Sequence, residues 1–104
     1  MDNNAPPRIF DLGNDVMVRA FFQNRAGDFI DPETVTFKIV DPAGTTTTKS
    51  YPDDAEVVRT DQGKFFYAIA ANRVGFWYYR YEGVGTDGKK TAAERSFRVR
   101  DSKF

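Results

Sequence analysis

The fold is decided by the stretch GFWYYRY, residues 75–81. Successive side chains of a β-strand point to opposite faces, so Trp77 and the two tyrosines that follow it at alternate positions would share one face. Phe76, Tyr78 and Arg80 would then share the other. Only one of these faces can be buried when two sheets pack together. The stretch therefore predicts a strand with one face in a core and a second, aromatic face outside.

Six further segments have the alternation or the β-branched composition of strands. They are residues 16–23, 34–40, 45–51, 56–60, 64–70 and 92–100. Turn-forming clusters separate them, among them residues 24–28 and 41–44. No segment has sustained helical periodicity. Short strands with turn signals every 8 to 12 residues or so predict an all-β sandwich or barrel of about seven antiparallel strands.

The apolar phase of these strands predicts the core. A chain of 104 residues with 40% hydrophobic content fits one domain of this kind. Trp77 is expected to be the central anchor, because a large aromatic ring supplies much buried area. The predicted core residues are Val16, Val18, Phe22, Val35, Phe37, Ile39, Phe65, Trp77, Tyr79, Phe97 and Val99.

The first residues differ from the rest of the chain. Residues 1–9 include the polar run Asp2-Asn3-Asn4, lack periodicity and contain Pro6-Pro7, which favours an extended conformation. We therefore predict an extended N-terminal arm over residues 1–9 and the sandwich over residues 10–104. Residues 1–7 are expected to become ordered only through contact with another chain, since they cannot bury a face of their own.

Catalytic chemistry has few side chains available. The chain has no histidine and no cysteine, the usual base and nucleophile near neutral pH. The adjacent carboxylates of Asp53 and Asp54 follow a proline and are typical of a turn. We predict no enzymatic activity, no catalytic residues, no cofactor, no metal site and no disulfide.

One glycine motif resembles a nucleotide-binding signature. Residues 83–88 match G-x-G-x-x-G, which has that meaning only between a strand and a helix. Thr91 and Glu94 even have the spacing of a helix capping box. However, residues 96–100 alternate as a strand, so we predict that the glycines form a hairpin loop.

Charge excludes several classes of partner. The chain has 15 basic and 15 acidic side chains. Residues 1–57 hold 5 basic against 10 acidic, and residues 58–104 hold 10 basic against 5 acidic. A general polyanion binder would have a basic excess, and no apolar run is long enough to span a membrane. We predict no specific nucleic-acid or membrane binding, and a subunit with a charge dipole.

The outward aromatic face is the candidate binding site. Aromatic side chains mixed with arginine are enriched in protein interfaces. Ordinary cross-strand pairing on a solvated sheet and a sugar-binding aromatic platform are the alternative interpretations. The predicted partner-binding residues, expected to share one outer face, are Phe66, Phe76, Tyr78, Arg80, Arg98 and Arg100.

A series of short motifs, in order along residues 10–99, resembles small immunoglobulin-like proteins of tailed bacteriophages and prophages. The motifs are Phe10-Asp11-Leu12-Gly13, Ala26-Gly27, Asp31-Pro32 with Val35, Asp41-Pro42-Ala43-Gly44, Gly63 with Phe65, Gly75 with Trp77-Tyr78-Tyr79-Arg80, Ala92-Ala93-Glu94 and Phe97-Arg98-Val99. Each is an ordinary turn or strand signal; the specificity comes from their order and register.

The resemblance implies an immunoglobulin-like β-sandwich and a non-enzymatic virion structural protein without a cofactor. Such a protein decorates the head or belongs to the neck or tail, and its partners are capsid, neck or tail subunits and copies of itself. It would be assembled in the host bacterial cytoplasm and then reside in the virion, and the absence of cysteine suits that reducing compartment. The alternative is a bacterial surface module for adhesion or carbohydrate binding, because similar motifs occur there.

Overall fold

The computed structural model describes residues 8–85 and 88–101, which form eight strands and no helix. The strands are β1 (Arg8–Asp11), β2 (Asp15–Phe21), β3 (Thr34–Val40), β4 (Thr46–Tyr51), β5 (Val58–Asp61), β6 (Lys64–Ala70), β7 (Gly75–Val84) and β8 (Lys90–Arg100). The described residues therefore contain no helix that could cross a bilayer.

The strands form two sheets. One has five strands in the order β1-β8-β7-β3-β4, and the other has three in the order β2-β6-β5. All pairings are antiparallel except that of β1 with β8, which is parallel. Aromatic contacts join the two inner faces, including Phe22 with Tyr81 and Phe37 with Tyr67. The predicted all-β sandwich is confirmed.

The core lies between the sheets and consists of the residues that alternation selects. Every predicted core residue except Tyr79 is buried. Tyr79 is half-buried and packs against the core. Its burial raises the pKa of the phenol. Ala20, Val57, Ile69 and Ala71 complete the core.

Trp77 lies at the centre of the predicted aromatic strand and is only 4% exposed. Its ring stacks on Phe97, with centroids 5.7 Å apart and planes 12° from parallel. The indole Nε1 donates a hydrogen bond to the Arg73 carbonyl oxygen at 3.0 Å, so its polar atom is satisfied. The prediction that Trp77 belongs to the core is confirmed.

Strands β7 and β8 form the longest hairpin of the described sheets, with pairing from Gly75 opposite Val99 to Val84 opposite Lys90. The glycine motif at 83–88 lies at its turn, as predicted, although residues 86 and 87 are outside the described range. Gly83 itself lies in β7, where an added Cβ would sit 2.5 Å from the Phe22 ring. Here the glycine is needed for close packing between the sheets.

Strand β1 begins inside the segment that was predicted to be an arm. Arg8 and Ile9 pair with Phe97 and Arg98 of β8. The prediction for residues 1–7 lies outside the described residues.

Candidate functional site

The outer side of the five-stranded sheet is built by the same alternation that buries its inner side. In an antiparallel pair, residues directly opposite each other point to the same face. The register places Arg98 between Ile9 of β1 and Phe76 of β7. The next row along the strands places Tyr78 between Ser96 of β8 and Val40 of β3. Two rows of side chains therefore lie next to each other on this face.

The apolar members of these rows are unusually open to solvent. Ile9 is 53% exposed, Phe76 49% and Tyr78 55%. Val40, which is partly buried, joins them to β3. We call Ile9, Val40, Phe76, Tyr78 and Arg98 the outer patch. Large apolar side chains that adjoin on a solvent-facing sheet are typical of a surface that binds another molecule.

Arg98 lies in the middle of the outer patch. Within the described part of the chain its side chain makes no hydrogen bond and no ion pair. Its guanidinium therefore has all five donors available, and arginine among aromatic side chains is a frequent hot-spot residue. The arrangement favours a partner that brings an acceptor, such as a carboxylate, together with apolar side chains.

Arg80 is on the same face but is already paired. It donates to Glu82 Oε2 from Nε at 3.2 Å and to Glu94 Oε2 from Nη1 at 2.9 Å. These hydrogen bonds, first to Glu82 and then to Glu94, raise the pKa of the Arg80 guanidinium. Because the single guanidinium of Arg80 pairs with both Glu82 and Glu94, these carboxylates can still accept hydrogen bonds from a partner.

Arg100 is also paired, at the edge of the sheet. Its Nε donates to Asp11 Oδ1 at 2.7 Å, which links β8 to β1 and raises the pKa of Arg100. An exposed pair of this kind contributes little to stability but fixes the position of both side chains. Arg100 therefore lies beside the outer patch as a structural contact of β1.

A shallow groove of about 450 Å³ adjoins Tyr78. Its walls include Lys38, Val40, Thr46, Tyr78, Glu94 and Ser96. It combines an aromatic wall with hydroxyl, carboxylate and ammonium groups. Such a groove can hold one side chain of a partner or one sugar ring.

The prediction that Phe66 shares the outer face with the other five residues was wrong. Phe66 lies in β6, which belongs to the three-stranded sheet, opposite Arg19 and Val58. Alternation was correct in turning Phe66 away from the core, but the outer sides of the two sheets face in opposite directions. The half-exposed Phe21 and the less exposed Met17 lie on that opposite side, so the three-stranded sheet has an apolar surface of its own.

The structure thus brings together Phe76, Tyr78, Arg80, Arg98 and Arg100, and adds residues that the sequence reasoning missed. Ile9 was assigned to the arm, because a strand of four residues after two prolines has no visible period. Val40 and Lys38 lie on a strand whose partners cannot be read from the sequence. Ser96, in contrast, alternates with Arg98 along β8 and could have been placed on this face.

The described residues contain no group of three or more carboxylate, histidine or cysteine side chains that could hold a metal ion. None of their buried side-chain polar atoms lacks a hydrogen-bond partner. The outer face combines exposed aromatic rings with a carboxylate that is open to solvent. A comparison of the chain with protein-family models, curated proteins and solved structures gave no match.

Proposed function

We propose that this chain is a non-enzymatic, immunoglobulin-like structural protein of a tailed bacteriophage virion. It attaches to capsid, neck or tail subunits through the outer patch, and it is assembled in the host cytoplasm. The observation that carries the binding role is the set of half-exposed apolar side chains, Ile9, Phe76 and Tyr78, around Arg98, whose side chain has no partner among the described residues. The motifs along residues 10–99 support the virion assignment.

The strand order also supports the immunoglobulin-like part of the proposal. The seven strands of such sandwiches are counted in chain order. Strands two, five and four are neighbours in one sheet, and strands three, six and seven are neighbours in the other. Here β2, β6 and β5 form the smaller sheet, and β3, β7 and β8 lie together in the larger one. Strand β4 takes the additional position at the edge of the larger sheet.

The test is the double substitution Tyr78→Ser with Arg98→Glu. Both side chains point outward, so the melting transition should stay within a few degrees of wild type, whereas copies per particle should fall sharply. Incorporation is measured by mass spectrometry of purified particles from the encoding phage.

The matched control is Phe21→Ser with Arg19→Glu, which makes the same chemical change on the outer side of the three-stranded sheet. It should enter particles normally. If the Tyr78 and Arg98 variant is folded and enters particles as well as wild type, the outer patch is not the attachment surface.

The groove beside Tyr78 favours carbohydrate binding as the second candidate function, because an aromatic ring flanked by Glu94, Ser96 and Thr46 can stack and hydrogen-bond a sugar. A glycan array probed with wild type and Tyr78→Ser distinguishes the two. Glycan binding that disappears in the variant would favour the surface-module function over the virion function.

A further inference from the structure

We propose that the outer patch also binds the outer patch of a second copy, in a two-fold dimer in which Arg98 of each copy pairs with Glu94 of the other. This proposal rests on the proposed function in one respect, since it uses the same face of the larger sheet. It identifies a second copy of the chain as one partner of that face.

The register of β8 provides the geometry. Arg98, Ser96 and Glu94 alternate along β8 and point to the same side, with Ser96 between the other two. Consider a two-fold axis that is parallel to the sheet, perpendicular to its strands and directly above the row of Ser96 and Tyr78. This axis places the row that contains Arg98 in one copy over the row that contains Glu94 in the other. Arg98 of one copy then lies over Glu94 of the second copy, and the same contact occurs twice.

The charges on the two rows are complementary under this operation. Arg98 has no partner within the described residues, and Glu94 is 72% exposed at its side chain. Glu94 has one ion pair, with Arg80, whose guanidinium is shared with Glu82. Within the described residues, each copy therefore offers the guanidinium of Arg98 and the exposed carboxylate of Glu94 at equal distances from the axis.

The aromatic side chains follow the same symmetry. Tyr78 lies on the axis row and would meet Tyr78 of the second copy. Phe76, opposite Arg98 in the register, would lie over Arg80 of the second copy, in position for a cation–π contact. The contact would cover both of the most exposed aromatic rings of β7.

The available area is enough for a weak dimer. Four neighbouring strands, about 4.8 Å apart and about six residues long, cover on the order of 400 Å² of flat sheet per copy. Because side chains make both faces uneven, contact between two such faces buries about 1,000 Å² of accessible surface, summed over the two copies. That total is at the lower limit for a specific interface. Packing of two sheets face to face with strands nearly aligned is also a stable arrangement.

The outer side of the three-stranded sheet is a poorer match, although Asp15, Met17 and Arg19 repeat the same acid and base spacing along β2. The row that would lie on the axis there pairs Met17 with Ala68, so it contains no aromatic ring like Tyr78. This sheet also has three strands, against five in the larger sheet, and so offers less flat area. We therefore place the dimer contact on the larger sheet, and Arg19 provides the control.

The experiment is sedimentation equilibrium of the purified chain over a wide concentration range. Wild type should dimerise, with an affinity that weakens as salt rises. Arg98→Glu and Glu94→Arg should each raise the dissociation constant at least about tenfold, because each places like charges opposite one another. Arg19→Glu, the same charge change on the other sheet, should leave it unchanged.

Mixing provides the specific readout. An equimolar mixture of the Arg98→Glu and Glu94→Arg proteins restores both opposite-charge contacts in a heterodimer, so the mixture should associate more tightly than either variant alone. The double variant on one chain should likewise regain a homodimer. A wild type that stays monomeric at about 1 mM, or variants that associate like wild type, overturns the proposal.

These outcomes are separable from those of the proposed function. If the chain is monomeric and the Tyr78 and Arg98 variant still fails to enter particles, the dimer is wrong and the attachment surface stands. If the chain dimerises through Arg98 and Glu94 but the variant enters particles normally, the attachment role is wrong and the dimer stands.

Discussion

At the scale of single residues, Trp77 is the side chain on which the sandwich depends most. It stacks on Phe97, and both are buried in the larger sheet. Trp77→Ala should lower the free energy of unfolding by about 3–5 kcal/mol, because it removes a large buried ring and leaves a cavity. Denaturant titration measures this loss.

Tyr78→Ala, next to it on the outer face, is the control for Trp77→Ala. Its effect should be small, within about 0.5 kcal/mol. A cooperative Trp77→Ala protein with nearly wild-type stability would show that the ring is not a central part of the core.

Asp31 connects three segments through one carboxylate. It accepts hydrogen bonds from Arg59 at 2.9 and 3.2 Å and from the Gly63 backbone amide at 2.8 Å. The Arg59 bond, and after it the Gly63 bond, lower the pKa of Asp31 below its ordinary value of 3.8. Gly63 has φ of +71°, and an added Cβ would sit 2.7 Å from the Phe22 carbonyl oxygen, so the turn that presents this amide needs glycine.

The pH dependence of stability follows from the lowered pKa. A group whose pKa is lowered in the folded state stabilises it fully above the unfolded value and loses that effect as pH falls through the folded value. Asp31→Asn should therefore lower the melting temperature near neutral pH. Below about pH 4 the variant should lose less stability than wild type, because it has no carboxylate at this position to protonate. Melting curves across pH measure both. Equal shifts at pH 7 and pH 2 would contradict a charge-dependent role.

At the scale of elements, alternation predicted the strands but not their neighbours. Strands β3 and β6 have the predicted bounds, and β7 is longer by three residues because Glu82, Gly83 and Val84 continue the pairing with β8. Alternation gives the side of a strand that faces the core, yet it contains no information on which sheet the strand joins. Phe66 was misplaced for that reason, while Phe76, Tyr78 and Arg98 were placed correctly because β7 and β8 form a hairpin.

Strand β1 provides the test for the N-terminal segment. Deleting residues 1–7 should leave the unfolding transition of the isolated protein unchanged, since β1 begins at Arg8, and should weaken assembly if that segment contacts another chain. Deleting residues 1–11 is the matched comparison. It removes the edge-on contact of Phe10 with Phe97 and the pairing of β1 with β8, so stability should fall. A large loss of stability from the shorter deletion would make residues 1–7 part of the domain.

At the scale of the whole molecule, the charge dipole that the sequence predicts is partly cancelled by folding. Ion pairs that join an acid of the first half to a base of the second include, in the part of the chain that the structure describes, Asp11 with Arg100, Asp31 with Arg59 and Asp41 with Arg73. Composition by halves could not show this, because sheet pairing and loop contacts bring the halves together. Arg98 on the outer face, which has no side-chain partner in residues 8–85 and 88–101, is more informative about binding partners than the net charge of either half.

The parallel pairing of β1 with β8 determines how the molecule responds to a pulling force. Arg8 lies opposite Phe97 and Asp11 opposite Arg100, so the chain enters β1 at one end of the shared ladder and leaves β8 at the other. Tension applied through the two ends would act along the strands and load all the hydrogen bonds of that ladder at once, as shear. A hairpin pulled at its open end instead breaks one bond after another. The domain should therefore resist a force applied between its ends far better than a force that pulls β3 and β4 apart at the open end of their hairpin. Such resistance suits a part that must hold its shape under mechanical load.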